Sequence, residues 1–350
     1  MKIFSHTFLI LAAVAAALVL KGCSLVDENL TDCEQDHLLN YELRLVTNMS
    51  TEISTELETT VATDMELSAA TALRDYLKNI FTDFAHDVDL SFYDVVEDSV
   101  RLHHEAHIMD ANQSSYTLYI PVRRYMHTAV ANVADNQLVS LEEDDYCHKG
   151  RLHQVVADSV RSHNTGLFTA RLPMDVLEDV DQTFNVRLYM ANCASALVVD
   201  TLGSHIRDLK VHLTGFATDF NVCDSTYRFQ YTSIVKSEKL ALSAPGGLCF
   251  VSVNYPSRDT RPTKSVIETT DPFISENAAN ALWQIRVYST LPDGTVTETK
   301  LGVSKPLRAG QFKIIKVKAL PNGSVQPDDP DVAMSFELDW QEGQDHEIDL

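Results

Sequence analysis

Apolar side chains recur at every second position along most of the chain. Tyr41/Leu43/Leu45, Val88/Leu90/Phe92, Leu102/His104/Ala106/Ile108 and Tyr116/Leu118/Ile120 show it in the first half. Phe184/Val186/Leu188/Met190, Leu209/Val211/Leu213, Tyr227/Phe229/Tyr231, Trp283/Ile285/Val287 and Val332/Met334/Phe336/Leu338 show it in the second. A period of two is the signature of a half-buried strand, and polar alternate positions imply antiparallel sheets wet on one side. One segment breaks the rule. Leu73, Leu77, Ile80, Phe81 and Phe84 share one face at a period of 3.6, with Asp64 placed to cap the helix ahead of Glu66. The pattern predicts a mainly β chain built from two antiparallel β-sandwiches, with one helix inserted in the first.

Alternation stops over Leu172–Gln182 and restarts at Phe184, which places the predicted domain boundary between residues 178 and 179. The expected organisation is a signal at 1–22, an acidic linker at 23–37, and sandwich domains at 38–178 and 179–350. Proline usage changes across that boundary: Pro121 and Pro173 are the only two before residue 240, and nine follow between Pro245 and Pro330. Longer, stiffer loops are expected in the second domain.

The N-terminus reads as an address. Lys2 precedes an unbroken apolar run of 13 residues, Phe8–Leu20. A membrane-spanning helix needs about 20, so the run is the core of a secretory signal. Leu20-Lys21-Gly22-Cys23 resembles a bacterial lipobox, which makes Cys23 the lipidated first residue of the mature chain; Lys21 departs from the small residue usual there. Two or three acyl chains hold a protein on a bilayer without any membrane helix. Asp27 and Glu28 stand close behind Cys23 and resemble the acidic signals that direct lipoproteins to the outer cell surface.

Charge removes one class of partner. The 350 residues carry 28 Lys and Arg against 50 Asp and Glu, a net charge of −22. Cleavage after Gly22 removes Lys2 and Lys21 and no acid, leaving 26 basic and 50 acidic residues. Nucleic-acid binders recruit phosphates with surplus Lys and Arg, so no nucleic-acid partner is expected. Beyond Cys23 there are five cysteines, Cys33, Cys147, Cys193, Cys223 and Cys249, with no CxxC pair. An exported chain can form disulfides. Cys33 with Cys147 is one option and a pair among the last three is another.

Candidate chemistry is sparse. Arg101–His107 (RLHHEAH) lacks the spacing of HExxH, which needs two histidines four apart on one helical face. On a strand, His103, Glu105 and His107 would share the solvated face opposite Leu102, Ala106 and Ile108. No metal site is assigned to them. There is no GxSxG, P-loop or GxGxxG, so no catalytic residue and no cofactor is expected, and a binding or structural role is favoured. Trp283 sits on the apolar side of its strand and is expected in the core.

Several stretches resemble the FimB-like fimbrial anchor lipoproteins of Bacteroidales type V pili, major and minor. They are Gly22-Cys23-Ser24 with the acidic leader to Asp32-Cys33, Val88–Asp94 (VDLSFYD), 116–132 (YTLYIPVRRYMHTAVAN), Leu307–Leu320 and Glu337–Leu350. The resemblance implies transthyretin-like sandwiches, a lipid-anchored place in the outer membrane, and fimbrillin shaft subunits as partners. It implies strand addition as the mode of contact, in which a neighbour's strand supplies main-chain hydrogen bonds and fills apolar pockets. Ile348 and Leu350 alternate on one face near the C-terminus and are the expected docking positions, with the Val332–Leu338 strand beside them. Shaft subunits of the family are opened by cleavage after an N-terminal arginine. Arg44, the first candidate, lies inside a predicted strand, which suits an uncut anchor. The alternative function is a surface glycan-binding lipoprotein of a polysaccharide-uptake system.

Overall fold

A computed structural model describes residues 36–46, 55–57, 62–81, 87–95, 100–106, 115–134, 136–142, 145–147, 150–154, 159–178, 180–229, 234–259, 265–267 and 281–337. The chain is mainly β, as the alternation predicts, with one long helix. Four sheets contain the strands.

The seven-stranded sheet runs Arg101–Glu105, Val88–Asp94, Arg124–Ala131, Phe168–Asp175, Thr183–Met190, Asp36–Val46, Ser115–Pro121. Its inner face carries Val88, Leu90, Phe92, Leu118, Ile120, Val186 and Leu188, each fully buried. The sheet curls on itself: the Tyr116 hydroxyl, on one edge strand, donates to Glu105 Oε2 on the other at 2.5 Å. Both walls therefore contribute to one core.

The helix α1 (Asp64–Ile80) lies in that core through Leu73, Leu77, Ile80 and the following Phe81. Phe84 lies outside the described residues. Thr63, not Asp64, is the N-cap: its hydroxyl accepts from Glu66 N at 3.2 Å, and Glu66 Oε2 accepts from Ala62 N at 2.7 Å. Thr and Glu three positions apart thus satisfy two backbone donors at the helix start, as in a capping box, with Glu66 reaching the amide one residue before the cap. Asp64 falls one residue inside and adds negative charge to the first turn, where the helix dipole favours it.

The central sheet is five-stranded: Glu238–Leu240, Gly247–Asn254, Cys193–Asp200, Phe312–Ala319, Val325–Pro327. It is covered on both faces. Ala194, Ala196 and Val198 join the helix and the seven-stranded sheet, whereas Cys193, Leu197 and Val199 join a second core. Strands buried on both faces read as continuous apolar runs, which is why Cys193–Asp200 (CASALVVD) lacks alternation.

The expected domains, 38–178 and 179–350, exchange elements across their boundary. Thr183–Met190 pairs with Asp36–Val46 and Phe168–Asp175 inside the seven-stranded sheet. Ser159–Arg161 pairs with Ile234–Lys236, and Arg151–Gln154 with Asp219–Asn221. Helix α1 docks on the central sheet, where Lys316 Nζ meets Glu66 Oε1 at 2.7 Å and Ser68 Oγ accepts from Ser243 N at 2.8 Å. Burial works against the Glu66 charge, but Lys316 and the Ala62 amide outweigh it and hold the carboxyl below its usual range. Glu66→Gln should therefore lower unfolding stability by about 2 kcal/mol, since it leaves a half-buried ammonium short of its partner. Urea unfolding at neutral pH checks this.

A further five-stranded sheet, Ser265–Ile267, Thr226–Phe229, Asp219–Asn221, Arg151–Gln154, Val139–Glu142, packs beside the first. It carries the disulfide Cys147–Cys223, with Cα atoms 5.7 Å apart, against Tyr93 and Met126. Neither expected pairing forms among the described residues. Asn221 pairs with Arg151 in antiparallel register, so Cys223 and Cys147 lie just beyond facing strand ends. Cys193 and Cys249 are buried thiols, both pushed up by burial, Cys249 to about 12. Cys33 lies outside the described residues.

Candidate docking edge

The six-stranded sheet runs Val332–Glu337, Val296–Val303, Trp283–Thr290, Asp208–Thr214, Ile234–Lys236, Ser159–Arg161. Leu209, Val211, Leu213, Trp283, Ile285, Val287, Leu301 and Val303 project from one face onto Leu197, Val199, Ile315 and Val317 of the central sheet. Trp283 is buried as expected, edge-on to Phe216 at 5.3 Å, and its Nε1 donates to the Lys305 carbonyl at 2.9 Å. A buried indole needs such a partner for its N–H.

Val332–Glu337 is the edge strand. It pairs antiparallel with Val296–Val303, from Val303 opposite Val332 to Glu298 opposite Glu337. Its start is pinned. Val332 N donates to the Asp329 carbonyl at 3.1 Å, Ser304 N to the Asp331 carbonyl at 3.2 Å, and Lys305 Nζ meets Asp331 Oδ2 at 2.5 Å. Lys313 and the Asp331 amide hold the Asp329 carboxyl below its usual range against the opposing effect of burial.

Paired residues on neighbouring strands share a face. Val332 and Met334 therefore point with Val303 and Leu301 toward the sandwich interior. Val332 is buried, but Met334 is 45% exposed although its partner Leu301 is fully buried. The apolar layer is thus uncovered at this edge. Among the described residues no strand pairs with the outer side of Val332–Glu337. Such an edge presents backbone donors and acceptors beside an apolar slot, the arrangement an added strand can fill.

The histidine-rich strand is built differently from its sequence expectation. His103 and Glu105 do not face solvent opposite Leu102; they are the half-buried positions, and Leu102, His104 and Ala106 are exposed. His103 stands opposite buried Phe92, with ring centroids 5.7 Å apart, and its Nε2 meets Glu105 Oε1 at 2.8 Å. The Glu105 bond, followed by burial, pushes the Tyr116 hydroxyl up to about 12. Glu105 thus fastens two edges of a curled sheet. Among the described residues no cluster of three metal-ligating side chains occurs, and His107 lies outside them.

Cys23, Asp27, Glu28, Leu338, Ile348 and Leu350 also lie outside the described residues. The alternation of Val332 and Met334 was readable in the sequence. Their position on an edge was not, because it depends on which strands pair.

No protein-family model and no curated protein matches the chain. Solved structures do. A Bacteroides thetaiotaomicron protein provisionally named as polysaccharide-binding superposes with a TM-score of 0.50 at 10% identity, over 88% of this chain and 99% of its own. A provisionally named adhesin from Bacteroides ovatus gives 0.50 at 9%, over 86% and 95%. The fimbrial anchor protein Mfa2 from Porphyromonas gingivalis gives 0.48 at 10%, over 86% and 99%. The likeness to these two Bacteroides proteins, at 10% and 9% identity, is one of fold.

Proposed function

We propose that this chain is a non-enzymatic, cell-surface subunit that tethers a fimbrium to the outer membrane and terminates its growth. The carrying observation is the Val332–Glu337 edge, where inward-facing Met334 is 45% exposed and no further strand is described. A shaft subunit contributing a strand there would gain main-chain hydrogen bonds and cover Met334. Ile348 and Leu350, farther along the same segment, supply alternating apolar positions for the contact. The lipobox at Cys23 supports the membrane end of the reading, with Asp27 and Glu28 as the surface-export signal. The fold shared with an adhesin supports a place on the cell surface.

Deleting the gene should release fimbriae into the medium, seen by electron microscopy of cells and supernatant. Deleting Gln344–Leu350 should reproduce the shedding while surface display, followed by antibody labelling of intact cells, is unchanged. Fimbriae that stay attached to cells lacking the protein would overturn the anchor reading. Attachment that survives only the truncation would overturn the docking assignment of Ile348 and Leu350.

A further inference from the structure

The outer face of the seven-stranded sheet is bare along the strand Thr183–Met190. Its outward positions, Thr183, Asn185, Arg187 and Tyr189, are all exposed, whereas Val186 and Leu188 between them are fully buried. Tyr189 is 53% exposed. On the neighbouring strand Phe168–Asp175, Thr169 stands opposite Tyr189. Two residues farther along, Arg171 therefore lies beside Arg187 on the same face, and Arg171 and Pro173 are both exposed. On the other side, parallel pairing sets Arg44 opposite Arg187. Three arginine positions thus follow one another on adjacent strands, spaced about 4.8 Å from strand to strand.

Neither Arg171 nor Arg187 has an ion pair or side-chain hydrogen bond among the described residues. The nearby acids are few. Glu42 is opposite Asn185 by register, and Asp175 already holds Arg124 at 2.8 Å. Glu178 and Asp181 lie in the loop joining Asp175 to Thr183, at the end of these strands remote from Tyr189. Positive charge is therefore in surplus here, in a chain with 28 basic and 50 acidic residues. The strand is also fully paired, lying between Phe168–Asp175 and Asp36–Val46. No backbone edge is open to an added peptide strand, so a ligand on this face is held by side chains alone.

We propose that this face binds an extended carboxylate-bearing polysaccharide, a polyuronate in chemical class. The guanidinium forks of Arg171 and Arg187 match ring carboxylates, the apolar face of a sugar ring covers Tyr189, and Asn185 and Thr183 offer hydrogen bonds to hydroxyls along the strand. Tyr119, 62% exposed on the same face, marks how far the surface extends. It is opposite Leu38, and Tyr189 is opposite Val46, so the two rings stand eight residues apart along Asp36–Val46, about 26 Å. Only a polymer covers that distance, and its repeated rings multiply contacts that are weak singly. An acidic peptide would meet the same arginines but has no ring face for Tyr189. The chain's net charge of −22 repels polyanions in general, so the affinity resides in this face. The inference goes beyond the anchor role and does not rest on it.

The test titrates the mature chain at low salt with three polymers: polygalacturonate fragments, the same fragments fully methyl-esterified, and poly-glutamate. Calorimetry should show the acid polysaccharide binding at least about tenfold more tightly than either of the others. Arg171→Gln/Arg187→Gln should weaken it at least about tenfold through lost charge-assisted bonds. Tyr189→Ala should weaken it by about threefold to tenfold, and Tyr189→Phe, which keeps the ring, should bind as the wild type does. These positions are exposed, so melting temperatures should hold. Should the arginine variant fold poorly, the esterified polymer puts the same question to the unaltered protein. Absence of binding at low salt would overturn the proposal, as would equal binding of acid and ester, or binding indifferent to the arginine and Tyr189→Ala variants. Poly-glutamate binding as tightly as the polysaccharide would assign the face to an acidic peptide and overturn it equally. No fimbrial subunit takes part, so the outcome is independent of the anchor reading.

Discussion

Acidification from pH 7 to pH 4.5 should unfold this protein or bring it close to unfolding. Three histidines are buried in a state that disfavours their charge. His127 stacks on Phe92 with ring centroids 4.3 Å apart, and its Nδ1 lies 3.0 Å from the Ser91 carbonyl, a contact that needs the proton on Nδ1. His163 packs edge-on against Tyr255 at 5.0 Å, and neither of its ring nitrogens has a hydrogen-bond partner among the described residues. Burial pushes both down to about 3, and His212 lies at about 4. The native values lie below the usual 6.5, so the unfolded chain binds more protons between the two. Stability is therefore complete above about pH 6.5 and lost progressively toward pH 3.

Each unit of pH costs about 1.4 kcal/mol per group. Two units across His127 and His163 cost about 5 kcal/mol, comparable with the whole stability of many domains. Protonation of surface carboxylates relieves self-repulsion and works the other way, but that term is screened by salt and spread over the surface. Thermal unfolding at pH 7.5, 6.0, 5.0 and 4.5 in 0.15 M salt should show a steep fall. His163→Phe, which keeps the ring contact with Tyr255 and cannot take up a proton, should flatten it. A melting temperature constant from pH 6.5 to 4.5 would contradict the assignment of neutral, buried imidazoles.

Replacing Cys147 and Cys223 by serine should lower stability by about 4 to 5 kcal/mol, the loop-closure entropy of a crosslink spanning 76 residues. For a chain this size that corresponds to a fall in melting temperature of about 6 °C. The bridge closes the ends of the paired strands Asp219–Asn221 and Arg151–Gln154, and it packs against Tyr93 of the seven-stranded sheet. Reduction of the wild type should reproduce the loss, and the double variant should be indifferent to reductant. Cys193 and Cys249 are buried and their thiols are pushed up, so neither is poised to exchange with the bridge. Equal melting temperatures with and without reductant would show that the bridge adds nothing.

Periodicity alone determined much of this protein. Val88/Leu90/Phe92, Phe184/Val186/Leu188/Met190 and Trp283/Ile285/Val287 point inward as their spacing requires, and the Leu73/Leu77/Ile80 face is the buried face of α1. These features are local: a side chain's direction follows from the period of its own element. Tertiary structure decided whatever depends on neighbours. Cys193–Asp200 hides its strand character because it is covered on both faces. His103 and Glu105 turn inward because Phe92 and Tyr116 meet them there. The 178/179 boundary is crossed because strand pairing and the Glu66–Lys316 contact join segments far apart in the chain. The same holds for the open edge beside Met334: it is assembled across strands, so it does not exist within any one stretch of sequence.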